Sequence, residues 1–216
     1  MPYIFKPENQ IQAAQTLPAV CPVEVGILLD RSGSMASIKS ETIAGFNALL
    51  KEQQKLEQAA LLSMSLFNDV ITLLRNGVPI AQAPLLSPEN YQPRGGTALN
   101  DALGRMIGTI GERASRLSRN LIAIITDGQE TASHEFSAID IRRMIGYRRE
   151  RHSWTFVFFG PSSARTYARS IGILDEFIFD FDAASGITAM LRRLGSAVTA
   201  YRLGDPNFAL RLCDKG

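Results

Sequence analysis

Five oxygen-bearing residues, Asp30, Ser32, Ser34, Thr97 and Asp127, have the types and spacing to hold a cation. The first three lie in Asp30-Arg31-Ser32-Gly33-Ser34-Met35, directly behind the apolar run Val23 to Leu29. One carboxylate and two hydroxyls therefore fall on a tight turn at the end of a buried strand. Alternate residues of such a loop can face a common centre, and Gly33 lets the backbone approach closely. Thr97 follows Gly95-Gly96 where a helical pattern opens, and Asp127 lies in Thr126-Asp127-Gly128 behind a second apolar run, Leu121 to Ile125. Hydroxyl and carboxylate oxygens without histidine or cysteine select Mg²⁺, Mn²⁺ or Ca²⁺ over zinc or copper, and Mg²⁺ is the expectation in a cytosolic setting. If the three hydroxyls bind directly and the two carboxylates act through water, the cation has no anionic direct ligand. It then attracts a carboxylate from another molecule.

The segments can meet only if the fold brings them to one edge. Val23 to Leu29 reads as a strand and Ile38 to Leu56 as a helix with Ile43, Phe46, Leu49, Leu50 and Leu56 on one side. Leu61 to Phe67 and Val70 to Leu74 read as strands joined by an Asn68-Asp69 hairpin turn. Pro79, Pro84, Pro88 and Pro93 punctuate an irregular stretch, after which Thr97 is placed to cap a helix carrying Leu99, Leu103, Met106 and Ile110. The alternation continues with strand Leu121 to Ile125, helix Ala138 to Arg151, strand Trp154 to Phe159, helix Ser162 to Ser170, strand Glu176 to Phe181 and helix Ala184 to Leu203. Strands this apolar need helices on both faces. The expectation is an α/β fold: a doubly wound, mostly parallel central sheet with one antiparallel edge strand. In such sheets ligands bind beyond the carboxyl ends of the strands, near the point where strand order reverses, and all three segments fall there.

The 216 residues, 45% hydrophobic and 20% charged, suit one folded domain. Residues 21–216 form that domain, with a C-terminal amphipathic helix, behind an N-terminal arm of residues 1–20 that either floats or packs along the edge. No run approaches the ~18 apolar residues of a membrane helix. The start lacks a basic region followed by an apolar core, so a cytoplasmic location is expected. Cys21 and Cys213 carry no metal-binding spacing; they read as two reduced thiols, with a bridge between the termini as the alternative. A net charge of +2 neither demands nor excludes nucleic acid.

The pattern Asp30-x-Ser32-x-Ser34, then Thr97, then Asp127, resembles the metal-ion-dependent adhesion site of the von Willebrand factor type A (vWA) family, complete at all five positions. Met35 after Ser34, the Gly-Gly before Thr97 and the Thr126-Asp127-Gly128 text are similar too, and the resemblance runs from about Val23 to about Tyr201. It implies a doubly wound sheet and metal-dependent recognition in which a Glu or Asp of a protein partner completes the metal shell. A chain that is little more than this domain looks like stand-alone bacterial adaptors, including those of stress-response and metal-resistance complexes.

An enzyme is the main rival. A metal beside Ser32 or Ser34 suits a hydrolase or phosphatase, yet aspartyl-phosphate enzymes carry a second Asp where this chain has Ser32, and there is no Gly-x-Ser-x-Gly. Only His134 and His152 could act as a base, and His134 alone lies near Asp127 in sequence. The expectation is therefore a non-enzymatic module. Nucleic-acid binding is the third reading, through Arg142, Arg143, Arg148, Arg149 and Arg151 on the helix before Trp154, with Arg113, Arg116 and Arg119 upstream. A solvated face is the plainer use of that helix, and the same charges could steer an acidic protein. In the last helix Ile187, Leu191, Leu194, Val198 and Tyr201 form a stripe for packing on the sheet rather than for pairing two copies. A monomer is favoured, with Arg192, Arg193 and Arg202 facing water.

Overall fold

The computed structural model describes residues 23–180 and 183–213, with side chains for all of these except 183–185. The arm 1–20, Cys21 and the expected strand end at Phe181 lie outside the described residues. Six strands form one sheet in the order β3-β2-β1-β4-β5-β6. They are β1 (Val23–Asp30), β2 (Leu61–Phe67), β3 (Ile71–Pro79), β4 (Arg119–Ile125), β5 (Thr155–Gly160) and β6 (Ile178–Asp180). Only β3 runs antiparallel, on the outer side of β2. The helices are α1 (Lys39–Gln54), α2 (Leu99–Gly111), α3 (Ala138–His152), α4 (Arg165–Ser170), α5 (Ala183–Arg202) and α6 (Leu210–Cys213).

Two cores follow from the alternation of strand side chains between the two faces of the sheet. Val23, Val25, Ile27 and Leu29 of β1 pack with Phe46 and Leu50 of α1 and with Leu191, Leu194 and Val198 of α5. On the other face Leu28, Ile122, Ile124, Phe156 and Phe158 pack with α2, α3 and α4. Gly26 permits the close seat of α2, since a Cβ there would come within 2.9 Å of the Ile110 side chain. Strand order reverses between β1 and β4, because the chain winds outward from β1 in one direction to β2 and in the other to β4. The carboxyl ends of those two strands frame a crevice.

Several boundaries differ from the sequence expectation. The edge strand β3 runs to Pro79, well past Leu74, because an edge position tolerates proline at the strand end. Trp154 precedes β5 rather than starting it: Ser153 turns left-handed (φ 54°) to end α3, and Trp154 is buried under the Arg148 guanidinium, 4.7 Å from its ring. A 3-10 turn, Gly33–Ile38, carries the chain from the first loop into α1, and another, Ser162–Ala164, leads into α4. The last strand is short, with Asp175–Phe177 in a 3-10 turn before it. Arg202 does not face water. It is 3% exposed, and its Nη1 donates to the carbonyl of Gln53 at 2.6 Å and to Gln53 Oε1 at 3.1 Å, satisfying the C-terminal end of α1. Among the described residues no helix is long and apolar enough to cross a membrane.

The basic segment is also partly absorbed into the fold. Arg113 pairs with buried Glu24 at 2.6 Å, Arg119 lies 4.5 Å over the Tyr201 ring, and Arg149 donates to the Gly172 carbonyl at 2.9 Å. Arg142, Arg143 and Arg151 remain exposed. The charges therefore do not form one continuous stripe.

Candidate metal centre

Asp30 ends β1 and is wholly buried. Its Oδ1 accepts the Ser32 N–H at 2.6 Å and its Oδ2 accepts the Thr126 hydroxyl at 2.5 Å. Burial raises its pKa from 3.8 to about 6, against the lowering effect of those hydrogen bonds and with a further upward push from the Asp127 charge. No cationic side chain pairs with it among the described residues. Beyond Asp30 the loop turns so that the Ser32 and Ser34 hydroxyl oxygens lie 3.1 Å apart, and Ser34 donates to Asp127 Oδ1 at 2.7 Å. Ser32 is buried and Ser34 exposed, so the cluster opens to solvent on the Ser34 and Asp127 side.

Thr97 joins from the third segment. Its hydroxyl lies 3.2 Å from where a Cβ on Gly128 would sit, so the bare backbone after Asp127 makes room for it. Thr97 does not cap α2. The residue at that position is Ala98, which offers no side-chain acceptor, and the first-turn N–H groups of Asn100 and Asp101 reach Glu130 Oε2 at 2.8 Å and Ser133 Oγ at 3.1 Å. With capping done by the loop after β4, the Thr97 hydroxyl is left beside the Gly128 backbone, next to Asp127. All five residues singled out in the sequence are thus brought to one edge, at the switch between β1 and β4.

Other residues hold the three loops in place. Tyr91, fully buried, donates to the Asp30 carbonyl at 2.7 Å. Gly33 N–H donates to the Gly95 carbonyl at 3.0 Å, joining the first loop to the second. Asn68 donates to the Arg94 carbonyl at 2.7 Å and accepts the Ala98 N–H on its own carbonyl at 2.9 Å. Asp69 accepts the Gly96 N–H at 2.8 Å, and Gly95 is left-handed (φ +74°) where a Cβ would collide with the Asp69 carboxylate. Asp101 accepts the N–H groups of His134, Glu135 and Phe136 at 2.8–2.9 Å. Burial alone would raise its pKa, but the three donors together with Arg105 outweigh it and hold the carboxyl below its ordinary value. Of these residues Gly33, Asn68-Asp69 and the Gly95-Gly96 pair carry a sequence signal, as loop and turn residues. Tyr91 and Asp101 carry none, because their side-chain partners lie more than 30 positions away, and Glu130, which also accepts from the nearby Ala132 and Ser133 N–H groups, reaches Asn100 from 30 positions away.

The donor set fits a hard cation. Among the described residues no three His, Cys, Asp or Glu side chains converge to hold a metal ion, so hydroxyl oxygens and water would have to supply most of a shell here. The buried Asp30 carboxylate, without a cationic partner, is what a divalent ion would neutralise. His134 is exposed on the loop after Asp127, with its backbone N–H on Asp101 rather than its ring on the cluster, and His152 ends α3 at the opposite end of the sheet.

No protein-family model matches the chain, and no curated protein matches it in sequence. Solved structures do match. The vWF domain of the type V pili tip protein Mfa5 from Porphyromonas gingivalis superposes with a TM-score of 0.61 at 10% identity, over 84% of this chain and 96% of that one. The fold is vWA-like. A von Willebrand factor type A protein from Catenulispora acidiphila gives 0.54 at 18% identity over 82% of this chain. Proximal thread matrix protein 1 from the mussel byssus, in a form with a zinc-occupied adhesion-site motif, gives 0.60 at 13% identity over 82% of this chain. The chain spans less than half of these last two, 42% and 48% of their lengths. At such identities the likeness establishes the vWA-like architecture alone.

Proposed function

We propose that the chain is a divalent-cation-dependent protein-interaction module whose partner presents a Glu or Asp to the cation. The convergence of Asp30, Ser32, Ser34, Thr97 and Asp127 at the strand-order switch, around a buried carboxylate without a cationic partner, carries this reading. Ser32, Ser34 and Thr97 would hold the ion by their hydroxyls, with Asp30 and Asp127 acting through water. Mg²⁺ is the expected ion, and Mn²⁺ or Ca²⁺ would suit the same oxygens. The bound ion supplies an electrophilic position for a carboxylate from outside. A zinc-occupied adhesion-site motif in the mussel matrix protein, which has a similar fold, supports a divalent-cation reading here. An adaptor role within a bacterial stress-response or metal-resistance complex is the setting we favour.

The chain's own side chains do no bond-making in this account. Ser34 Oγ donates to the Asp127 carboxylate, and neither histidine ring bonds a hydroxyl of the cluster among the described residues. The test is an affinity capture from native lysate with Mg²⁺ or with EDTA, using wild type and Asp30→Ala as paired baits. A protein retained only by wild type with Mg²⁺, and lost when its own contacting carboxylate is replaced, is the expected result. Retention indifferent to metal and to Asp30→Ala would refute the reading.

A further inference from the structure

The rim of the candidate metal centre carries two guanidinium groups without an acidic partner. Arg31 stands between Asp30 and Ser32, and its carbonyl accepts the N–H of Arg94 at 2.9 Å, so the two arginines are joined through the backbone. Arg31 Nη2 donates to Thr72 Oγ1 at 2.8 Å and to the Val70 carbonyl at 3.3 Å, which holds its guanidinium over the start of β3, while its Nε is buried with no acceptor. The Arg94 side chain is exposed and makes no hydrogen bond or ion pair among the described residues. Arg105 and Arg165 pair with Glu135 and Asp180, whereas Arg142, Arg143 and Arg151, like Arg94, are exposed without a salt bridge among the described residues. The neighbouring acid, Asp69, spends its Oδ1 on the Gly96 N–H and pairs with neither arginine.

We propose that Arg31 and Arg94 form an anion subsite beside the cation centre, which takes a second carboxylate from the same partner segment. The ligand is then a stretch of chain with two acidic side chains, one directed to the cation and one to the guanidinium pair. This rests on the cation reading above and adds to it the local sequence of the partner. Arg31, tethered at Thr72, fixes the direction of the field, and Arg94, exposed and unpaired, is the arm that closes on the ligand. A guanidinium takes a carboxylate with paired N–H donors, and such a contact gives position as well as attraction. A carboxylate is favoured over a phosphate because Asp69 and Asp127 share the rim and repel a doubly charged group more strongly.

The test uses the full chain with Mn²⁺ and fluorescently labelled Gly/Ser peptides carrying one Glu, two Glu at separations of one to four residues, or one Glu and one phosphoserine at the same separations. Peptide binding is read by anisotropy, and Mn²⁺ binding separately by electron paramagnetic resonance. The best-spaced two-Glu peptide should bind wild type about tenfold more tightly than the one-Glu peptide. Arg94→Ala should erase that advantage and Arg94→Glu reverse it, while Mn²⁺ still binds. Mn²⁺ binding with no spacing advantage, or an advantage that survives Arg94→Ala, overturns the subsite alone. A phosphoserine peptide that outcompetes the two-Glu peptide overturns the carboxylate assignment. Absence of Mn²⁺ binding by wild type defeats the cation reading and the subsite with it.

Discussion

The two ends of β1 each bury a carboxylate, and they are treated in opposite ways. At the start of the strand Glu24, 5% exposed, accepts the Ser63 hydroxyl at 2.6 Å and pairs with Arg113 at 2.6 Å. At the end Asp30 accepts only neutral donors, and its pKa rises to about 6. The first end is closed, with its charge neutralised inside the fold. The second is left with a charge that the described side chains do not balance, and it faces the crevice where strand order reverses. A charge matched internally serves stability, whereas one left unmatched beside a cluster of hydroxyls serves a ligand.

The sharpest way to break this comparison is to remove the oxygens at the open end. Asp30→Ala or Thr97→Ala should reduce cation affinity by about a hundredfold or more and abolish cation-dependent capture, with the fold retained by circular dichroism. At the closed end, Glu24→Ala should lower stability by about 2 kcal/mol in urea unfolding, a figure discounted because the Arg113 side chain is 32% exposed. It should leave cation affinity unchanged. A Glu24 change that removed cation binding would show that the two ends are not independent.

Acid titration separates the ends further. A carboxyl whose pKa is raised on folding favours the native state while it is protonated, and that advantage disappears as pH rises. For Asp30, raised from 3.8 to about 6, metal-free stability should therefore fall across pH 4–6 by on the order of 3 kcal/mol. Asp30→Asn should flatten that fall in a pH series of urea melts, and saturating Mg²⁺ should restore stability above pH 6 in wild type only. The smallest effect is expected at Gly128. A Cβ there would stand 3.2 Å from the Thr97 hydroxyl, so Gly128→Ala should weaken cation binding about threefold with little change in the melting temperature.

The open end was largely legible in the sequence and the closed end was not. Asp30, Ser32 and Ser34 stand out because they interrupt an apolar run, and Thr97 and Asp127 because each follows a local signal, a glycine pair and a second apolar run. Glu24 sits inside the strand like any alternating residue, and its partners Ser63 and Arg113 lie 39 and 89 positions away. Arg113 was instead grouped with the basic segment. Arg202 differs for the same reason: helical periodicity places it on the wet side, but the end of α1 lies against that side and takes its guanidinium. Thr97 was assigned a capping role that Glu130 and Ser133 fill from another loop. Strands, their apolar faces and the antiparallel edge followed from local pattern. Loop ties such as Tyr91 to the Asp30 carbonyl depend on tertiary geometry, which no local pattern encodes.

The most direct test of the central claim is a Mn²⁺ titration of the full chain by electron paramagnetic resonance, comparing wild type with Thr97→Ala and Glu24→Ala. The account predicts one bound ion in wild type and Glu24→Ala and none in Thr97→Ala. Binding that is equal in all three proteins, or absent from wild type, would contradict it.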